Sequence, residues 1–223
     1  MGIGIAGAGI DTRDMLVVHA AFRREFRLAP GLVSGVQEGD TARARVVAGH
    51  LRLMLQLLHV HHGGEDRLLW PRLQQRAPEQ LAPTVELMEH QHQHIDSVVQ
   101  ALDVPLDRWI ASATAADRAV IAAGLADLHA ALEEHLQAEE RHVLPLAARL
   151  LTPAEWGELA EEVKTIPARK LPLVFGMLMY EGDPEIVATI LAAAPALPRL
   201  LMPRLAPRAY ARHARRVYKT ATP

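Results

Sequence analysis

The sequence predicts an all-α protein: a four-helix bundle followed by a short helical C-terminal extension. Three observations point that way. Apolar residues recur at three- and four-residue steps through the first 151 residues. Good helix formers dominate that stretch, and nothing in it alternates with the period of two that a half-buried strand needs. Half of the 223 residues are hydrophobic and 22% are charged, enough for one full-sized domain with a real core.

The first helix is predicted from about Thr12 to Leu28, stopped by Ala29-Pro30-Gly31. The second starts at Asp40 as N-cap and runs to about Trp70-Pro71. The third opens with Pro83 in its first turn, runs to about Leu102 and is closed by Asp103-Val104-Pro105, with a short helical piece over 106–111. The fourth opens on the capping-box-like Thr114-Ala-Ala-Asp117 and continues to about Leu150. Helices of this length with these connections make a bundle over residues 11–151. Residues 152–223 form the extension. It begins with the capping box Thr152-Pro153-Ala154-Glu155 and a short helix to about Lys164. Prolines at 167, 172, 184, 195, 198, 203 and 207 then predict short helical pieces, apolar enough to pack on or beside the bundle.

Composition removes several function classes. There is no cysteine, which excludes disulfide scaffolds, zinc fingers, iron–sulfur clusters and thiol catalysis. The net charge of −2 is too ordinary for a polybasic nucleic-acid binder, so no nucleic-acid partner is expected. No secretory signal is visible, and the longest uncharged apolar stretches fall short of the roughly 20 residues a membrane span needs. The expectation is a cytoplasmic protein without a transmembrane segment. Gly2-Ile-Gly4-Ile-Ala-Gly7 matches GxGxxG, but no strand precedes it and no βαβ unit follows, so it is set aside. Residues 186–223 carry seven Lys/Arg and no acid, whereas residues 1–185 hold 17 basic and 26 acidic residues. Lipid, nucleic acid or the acidic bundle could meet this basic tail, the intramolecular contact being the simplest.

Histidine is the extreme of the composition: 12 residues, 11 of them before residue 143. Helix 2 carries His61-His62-Gly63-Gly64-Glu65-Asp66 and then Pro71; helix 4 carries His135, Glu139, Glu140 and then Pro145. The copies share one offset of 74 residues (61 to 135, 65 to 139, 71 to 145), an internal repeat made of metal-ligand residue types. Residues i and i+4 share a helix face, so an imidazole and a carboxylate can reach one ion. Both pairs continue an apolar stripe: Val47, Leu51, Met54, Leu58, His61, Glu65, Leu68 on helix 2, and Leu125, Leu128, Leu132, His135, Glu139, then His142 or Val143, on helix 4. Two unpaired carboxylates on a buried seam are costly, and a bound cation removes the difficulty.

Helix 1 offers His19. Helix 3 offers His90, His92 and His94, of which His92 keeps the seam Val85, Met88, His92, Ile95, Val99, Leu102; His90 and His94 remain as an alternative HxxxH pair. The metal set is therefore His19, His61, Glu65, His92, His135 and Glu139, with His62 paired to Asp66, and His142 one turn beyond Glu139, as additional ligands or residues that orient them. Six donors exceed one tetrahedral ion and carboxylates can bridge, so two ions are expected; nitrogen and oxygen donors suit iron, manganese or zinc. His50, His59, His129 and His213 read as surface or partner-facing histidines.

This pattern resembles the hemerythrin-like HHE cation-binding family: a His on helix 1, HxxxE on helix 2 followed by an apolar pair and Pro, a His on helix 3, and a second HxxxE on helix 4. The resemblance covers about residues 11–150, and the tail resembles one carried by actinobacterial members. It implies an up-and-down four-helix bundle with two oxo- or hydroxo-bridged iron ions, Glu65 and Glu139 bridging and the histidines terminal, with manganese and zinc ranked behind iron. Departures from the pattern are visible. The oxygen carriers use a fifth histidine and HxxxH on helix 3, which only His90 and His94 supply; their acid five residues after the last His would be Glu140. Iron-sensing relatives place an extra ligand where His62 sits.

The implied function is binding of, or reaction with, O2, peroxide or nitric oxide, in oxygen, redox or iron handling or sensing. An alternative is a di-iron oxidase or peroxidase acting on a small organic substrate, with the extension as a lid. A structural or regulatory zinc bundle is the third reading, and a homodimer is compatible with any of them. The ferritin-like ExxH pattern (Glu89 with His92, Glu139 with His142) fits less well, because Glu89 lies off the seam and the 74-residue offset goes unexplained.

Overall fold

A computed structural model of the protein describes residues 9–223, with the backbone alone at 78, 80, 81, 163 and 164. The GxGxxG stretch lies outside the described residues. The chain is helical from end to end, with no strand among the described residues. In order come α1 (Arg13–Ser34), α2 (Thr41–Gly64), a π-helical turn (Glu65–Leu69), α3 (Trp70–Arg76), α4 (Pro78–Ser112), α5 (Ala115–His142), α6 (Leu144–Leu150) and α7 (Pro153–Glu161). Two 3₁₀ turns (Glu162–Thr165 and Ala168–Lys170) lead to α8 (Leu171–Met179), α9 (Pro184–Ala193) and α10 (Ala196–Tyr218). The four long helices of the first part pack as neighbours: α1 along α5, α5 along α4, α4 along α2, and α2 along α1. No helix is long and apolar enough to cross a membrane among the described residues.

The start signals at Asp40, Thr114 and Thr152 work as chemistry predicts, whereas the one at Pro83 does not, since α4 opens at Pro78. The Asp40 side chain accepts the Arg43 N–H at 2.9 Å, and Thr114 Oγ1 accepts the Asp117 N–H at 3.2 Å. Thr152 and Glu155 form the full reciprocal box, with Pro153 in the first turn. The proline stop signals do not end the helices. α1 continues through Pro30 to Ser34, α4 runs through Pro83 and Pro105, and α10 is one 23-residue helix containing Pro203 and Pro207. A proline inside a helix costs about 3 kcal/mol, while full burial of each large apolar side chain returns roughly 1.5–3 kcal/mol. Leu102, Leu106 and Trp109 are all buried on either side of Pro105, and Met202, Ala206 and Tyr210 are buried around the prolines of α10. Packing outweighs the missing hydrogen bonds.

The extension shares an apolar cluster with the first part of the chain: Phe22, Phe26 and Leu51 join Val174, Met177, Tyr210 and Ala214. α8 and α10 approach so closely that a Cβ on Gly176 would sit 2.3 Å from the Ala206 carbonyl oxygen. The polar contact runs opposite to the charge split. None of the seven basic residues of 186–223 forms an ion pair among the described residues. Instead the buried Arg24 of α1 donates to the Tyr180 and Met177 carbonyls at 2.8 and 2.9 Å, and the buried Glu25 accepts Tyr210 at 2.8 Å together with Tyr218. His50, expected at the surface, is buried in this network, facing Tyr218 at 2.9 Å and His213 at 3.1 Å.

Candidate metal centre

Four helices send donor side chains to one buried place. His19 comes from the middle of α1, His61 and His62 from the end of α2, Glu65 from the π-helical turn, His92 from α4, and His135 and Glu139 from α5. Their donor atoms form two groups, His19, His61, Glu65 and Glu139 in one and His62, Glu65, His92 and His135 in the other, each with all atoms within 4.8 Å of one another. Glu65 belongs to both. Its Oε1 lies 3.2 Å from His61 Nε2, and its Oε2 lies 3.5 Å from His92 Nε2. Glu139 Oε2 lies 3.2 Å from His19 Nε2, and the Nε2 atoms of His92 and His135 face each other at 3.1 Å.

These separations are those of a coordination polyhedron. Metal–ligand bonds of about 2.1 Å put neighbouring donors roughly 3.0 Å apart in an octahedron and roughly 3.4 Å apart in a tetrahedron. The protein alone leaves the donors unserved. Nε2 of His19 and His61, both ring nitrogens of His62, and all four carboxylate oxygens of Glu65 and Glu139 are buried without a hydrogen bond. An unpaired buried polar atom is expensive, and eight around one point are best explained by cations that take their lone pairs.

The titration behaviour has the same cause. Burial, and then the neighbouring Glu139 carboxylate, push Glu65 up to about 7. Burial opposes a charge on His19, yet the carboxylates of Glu139 and Glu140 outweigh it and raise the imidazole to about 9. Likewise burial opposes a charge on His92, but Asp66 and Glu65 raise it to about 9. Burial and the neighbouring imidazoles drive His61, His62 and His135 well below the usual histidine range, so these rings are neutral donors near pH 7.

The π-helical turn follows α2 just beyond His61 and His62 and resets what comes after Glu65. α2 and the turn meet at Gly64–Glu65, and the extra residue shifts the register: the fully buried position after Glu65 is Leu69, where the predicted stripe placed Leu68. Asp66, expected beside His62, instead reaches His92 Nδ1 at 2.8 Å and accepts the Trp70 indole N–H at 3.0 Å. Glu140 takes the corresponding place behind His19, its Oε1 2.8 Å from Nδ1, and is held there by Arg23 at 2.6 Å. Each contact fixes a ring so that Nε2 points at the cluster. Gln91, which no sequence signal marks, does the same for His135: its Oε1 accepts from Nδ1 at 3.3 Å. α7 packs against the π-helical turn and the following 3₁₀ turn against the end of α2, where Gly64 lies close under Glu162.

The structure therefore gathers the six residues of the predicted set and adds His62. His142 is exposed and lies outside both groups; Val143 takes the buried position. His90, His94 and Glu89 are also exposed. This geometry meets an independent comparison, in which the model of the hemerythrin HHE cation binding domain matches residues 11–147. The chain belongs to that family. The match covers all seven residues of the two groups and stops before the extension. No curated protein and no solved structure matches the chain. HHE domains bind cations, and the donors assembled here fit that chemistry.

Proposed function

We propose that α1, α2, α4 and α5 form an up-and-down four-helix bundle holding two iron ions, and that the centre binds or reacts with O2, peroxide or nitric oxide. The observation that carries this reading is the shared carboxylate: each oxygen of Glu65 faces a different histidine group. His19, His61 and Glu139 would hold one ion with Glu65; His62, His92 and His135 would hold the other with it. Five imidazoles and two carboxylates make a nitrogen-rich donor set, which suits iron and takes manganese or zinc as weaker alternatives. When bound, iron supplies an open coordination position and a change of oxidation state. The chain's own residues do the rest. Glu140, Asp66 and Gln91 orient three of the rings, and the close burial of the cluster keeps bulk water out. Such packing admits a small ligand far more readily than a large organic molecule.

The test is metal analysis of the purified chain together with its visible absorption before and after O2, peroxide and nitric oxide. About two irons per chain and a spectrum that responds to at least one of the three is the expected result. Two zinc ions and no response would turn the reading to the structural bundle. One observation favours the alternative of an oxidase or peroxidase with a lid: α7, in the extension, packs against the turn carrying Glu65. Turnover of a small organic reductant with peroxide separates the two. The homodimer belongs to this proposal as well, because Leu197, Leu200, Leu201 and Leu205 leave an apolar stripe exposed on α10; light scattering should give twice the 24.5 kDa chain mass.

A further inference from the structure

The HxxxH pair of α4 does not serve the inner cluster, yet it is not idle surface. His90 and His94 lie one helical turn apart on the outer side of α4 and line a groove of about 570 Å³ between α4 and α5. Across the groove, α5 presents Asp127 and Glu134 at its rim, with Ala130 and Ala131 between them leaving the space open. No Lys or Arg lines it. The side chains of His90, His94, Asp127 and Glu134 take part in no hydrogen bond or ion pair among the described residues. Four cation-ligand side chains thus line one groove, each exposed to solvent and paired with no other described side chain.

The floor of that groove touches the inner cluster. Gln91 lines the groove and also accepts the His135 Nδ1–H at 3.3 Å, and Glu134 is the residue before His135. A buried centre requires a way in, since its donors are closed off from solvent. A hydrated ion must shed water, and it does so most easily by exchanging it stepwise for protein donors.

We propose that this groove is the loading site for a divalent transition-metal ion on its way to the inner centre. His90 and His94 exchange water on the ion for imidazole nitrogen, and Asp127 and Glu134 attract it and balance its charge. Gln91 is the gate: when its amide turns away from His135, the ion passes to the Nε2 atoms behind. The proposal rests on the two-ion reading above and adds to it the route by which the ions arrive.

The test uses the full metal-free chain and cobalt(II) alone as probe, followed by the growth of its visible absorption in a stopped-flow instrument. The double variant His90→Ala/His94→Ala keeps the attracting carboxylates but removes the nitrogen donors that take the ion from water, and should load at least about tenfold more slowly at low-micromolar cobalt. It should reach the same final stoichiometry, the same final spectrum and the same Tm. His129→Ala, outside the groove, should load like the parent chain. An unchanged rate in the double variant overturns the loading site and leaves the inner centre standing. A lower final stoichiometry also overturns it, by making the pair inner ligands. If the parent chain itself does not take up two ions, the two-ion reading falls instead.

Discussion

At the scale of single residues, Glu65 and His62 are where the proposed two-ion centre is tested most sharply. Glu65 is the one member of both donor groups, fully buried, with neither oxygen hydrogen-bonded. His62 belongs to the second group alone, and Glu139 to the first alone. Removing the shared carboxylate should therefore empty both positions, while removing His62 should spare the first. Glu65→Ala is expected to retain almost no metal, His62→Ala about one equivalent, and His142→Ala the parent value, on the premise that each ion needs its full donor set. Inductively coupled plasma analysis against protein concentration reads this directly, and equal losses in Glu65→Ala and His142→Ala would contradict it. The HxxxE pairs were legible in the sequence because i and i+4 share a helix face whatever surrounds them. His62 was ambiguous because neighbouring residues on an α-helix point about 100° apart. In the structure His61 and His62 serve different donor groups that share Glu65, and the π-helical turn after Gly64 sends Asp66 to His92.

At the scale of elements, helix starts were easier to read than helix ends. Asp40, Thr114 and Thr152 cap as their chemistry dictates, because a cap is a local hydrogen bond between residues three apart. Prolines at 30, 105, 203 and 207 mislead because their cost is local while the packing that offsets it is not. In α10 that packing depends on one glycine of α8. A methyl group on Gly176 would lie 2.3 Å from the Ala206 carbonyl oxygen and 2.7 Å from Tyr210 Cβ, both parts of a helix that cannot swing aside. Gly176→Ala improves helix propensity but forces α8 and α10 apart, so it should lower stability by about 1–3 kcal/mol, the range of core overpacking. Urea unfolding should show the fall in midpoint, and a stabilised variant would mean the helices are free to separate. Gly157, with open space around its Cβ, is the control: Ala there should be neutral or stabilising.

Across the whole molecule, two separate buried polar clusters carry titratable groups, and they respond differently to pH and metal. The first joins the extension to α1 and α2. Glu25 accepts from Arg24, Tyr210 and Tyr218, and since the Tyr218 proton goes to Glu25, His50 Nε2 donates to the Tyr218 oxygen. Burial opposes ionisation of Glu25, but His50, Tyr218 and Arg24 together hold it below the usual carboxylate range, while burial lowers His50 to about 4. Glu25→Ala leaves a buried guanidinium and two phenols without their acceptor, and should cost about 3–5 kcal/mol in unfolding free energy. Both groups change protonation below about pH 6.5, with metal or without. The second cluster is the metal centre, and there the sign reverses with loading. Without metal, His19 and His92 (each raised to about 9) and Glu65 (raised to about 7) hold protons that the unfolded chain has released. Their stabilising contribution is complete below the unfolded values and is lost as pH rises through the folded ones, so the metal-free chain should lose stability between about pH 6.5 and 9. A bound cation takes the place of those protons, and its binding strengthens as proton competition fades over the same interval. The Tm of the metal-free chain should therefore fall from pH 6.5 to 9, while that of the loaded chain holds or rises, so that the gap widens steadily. Effects of the Glu25 cluster cancel in that difference, because they are common to both states. Parallel Tm curves for loaded and metal-free protein would show that the raised imidazoles and Glu65 are not the groups the cation engages.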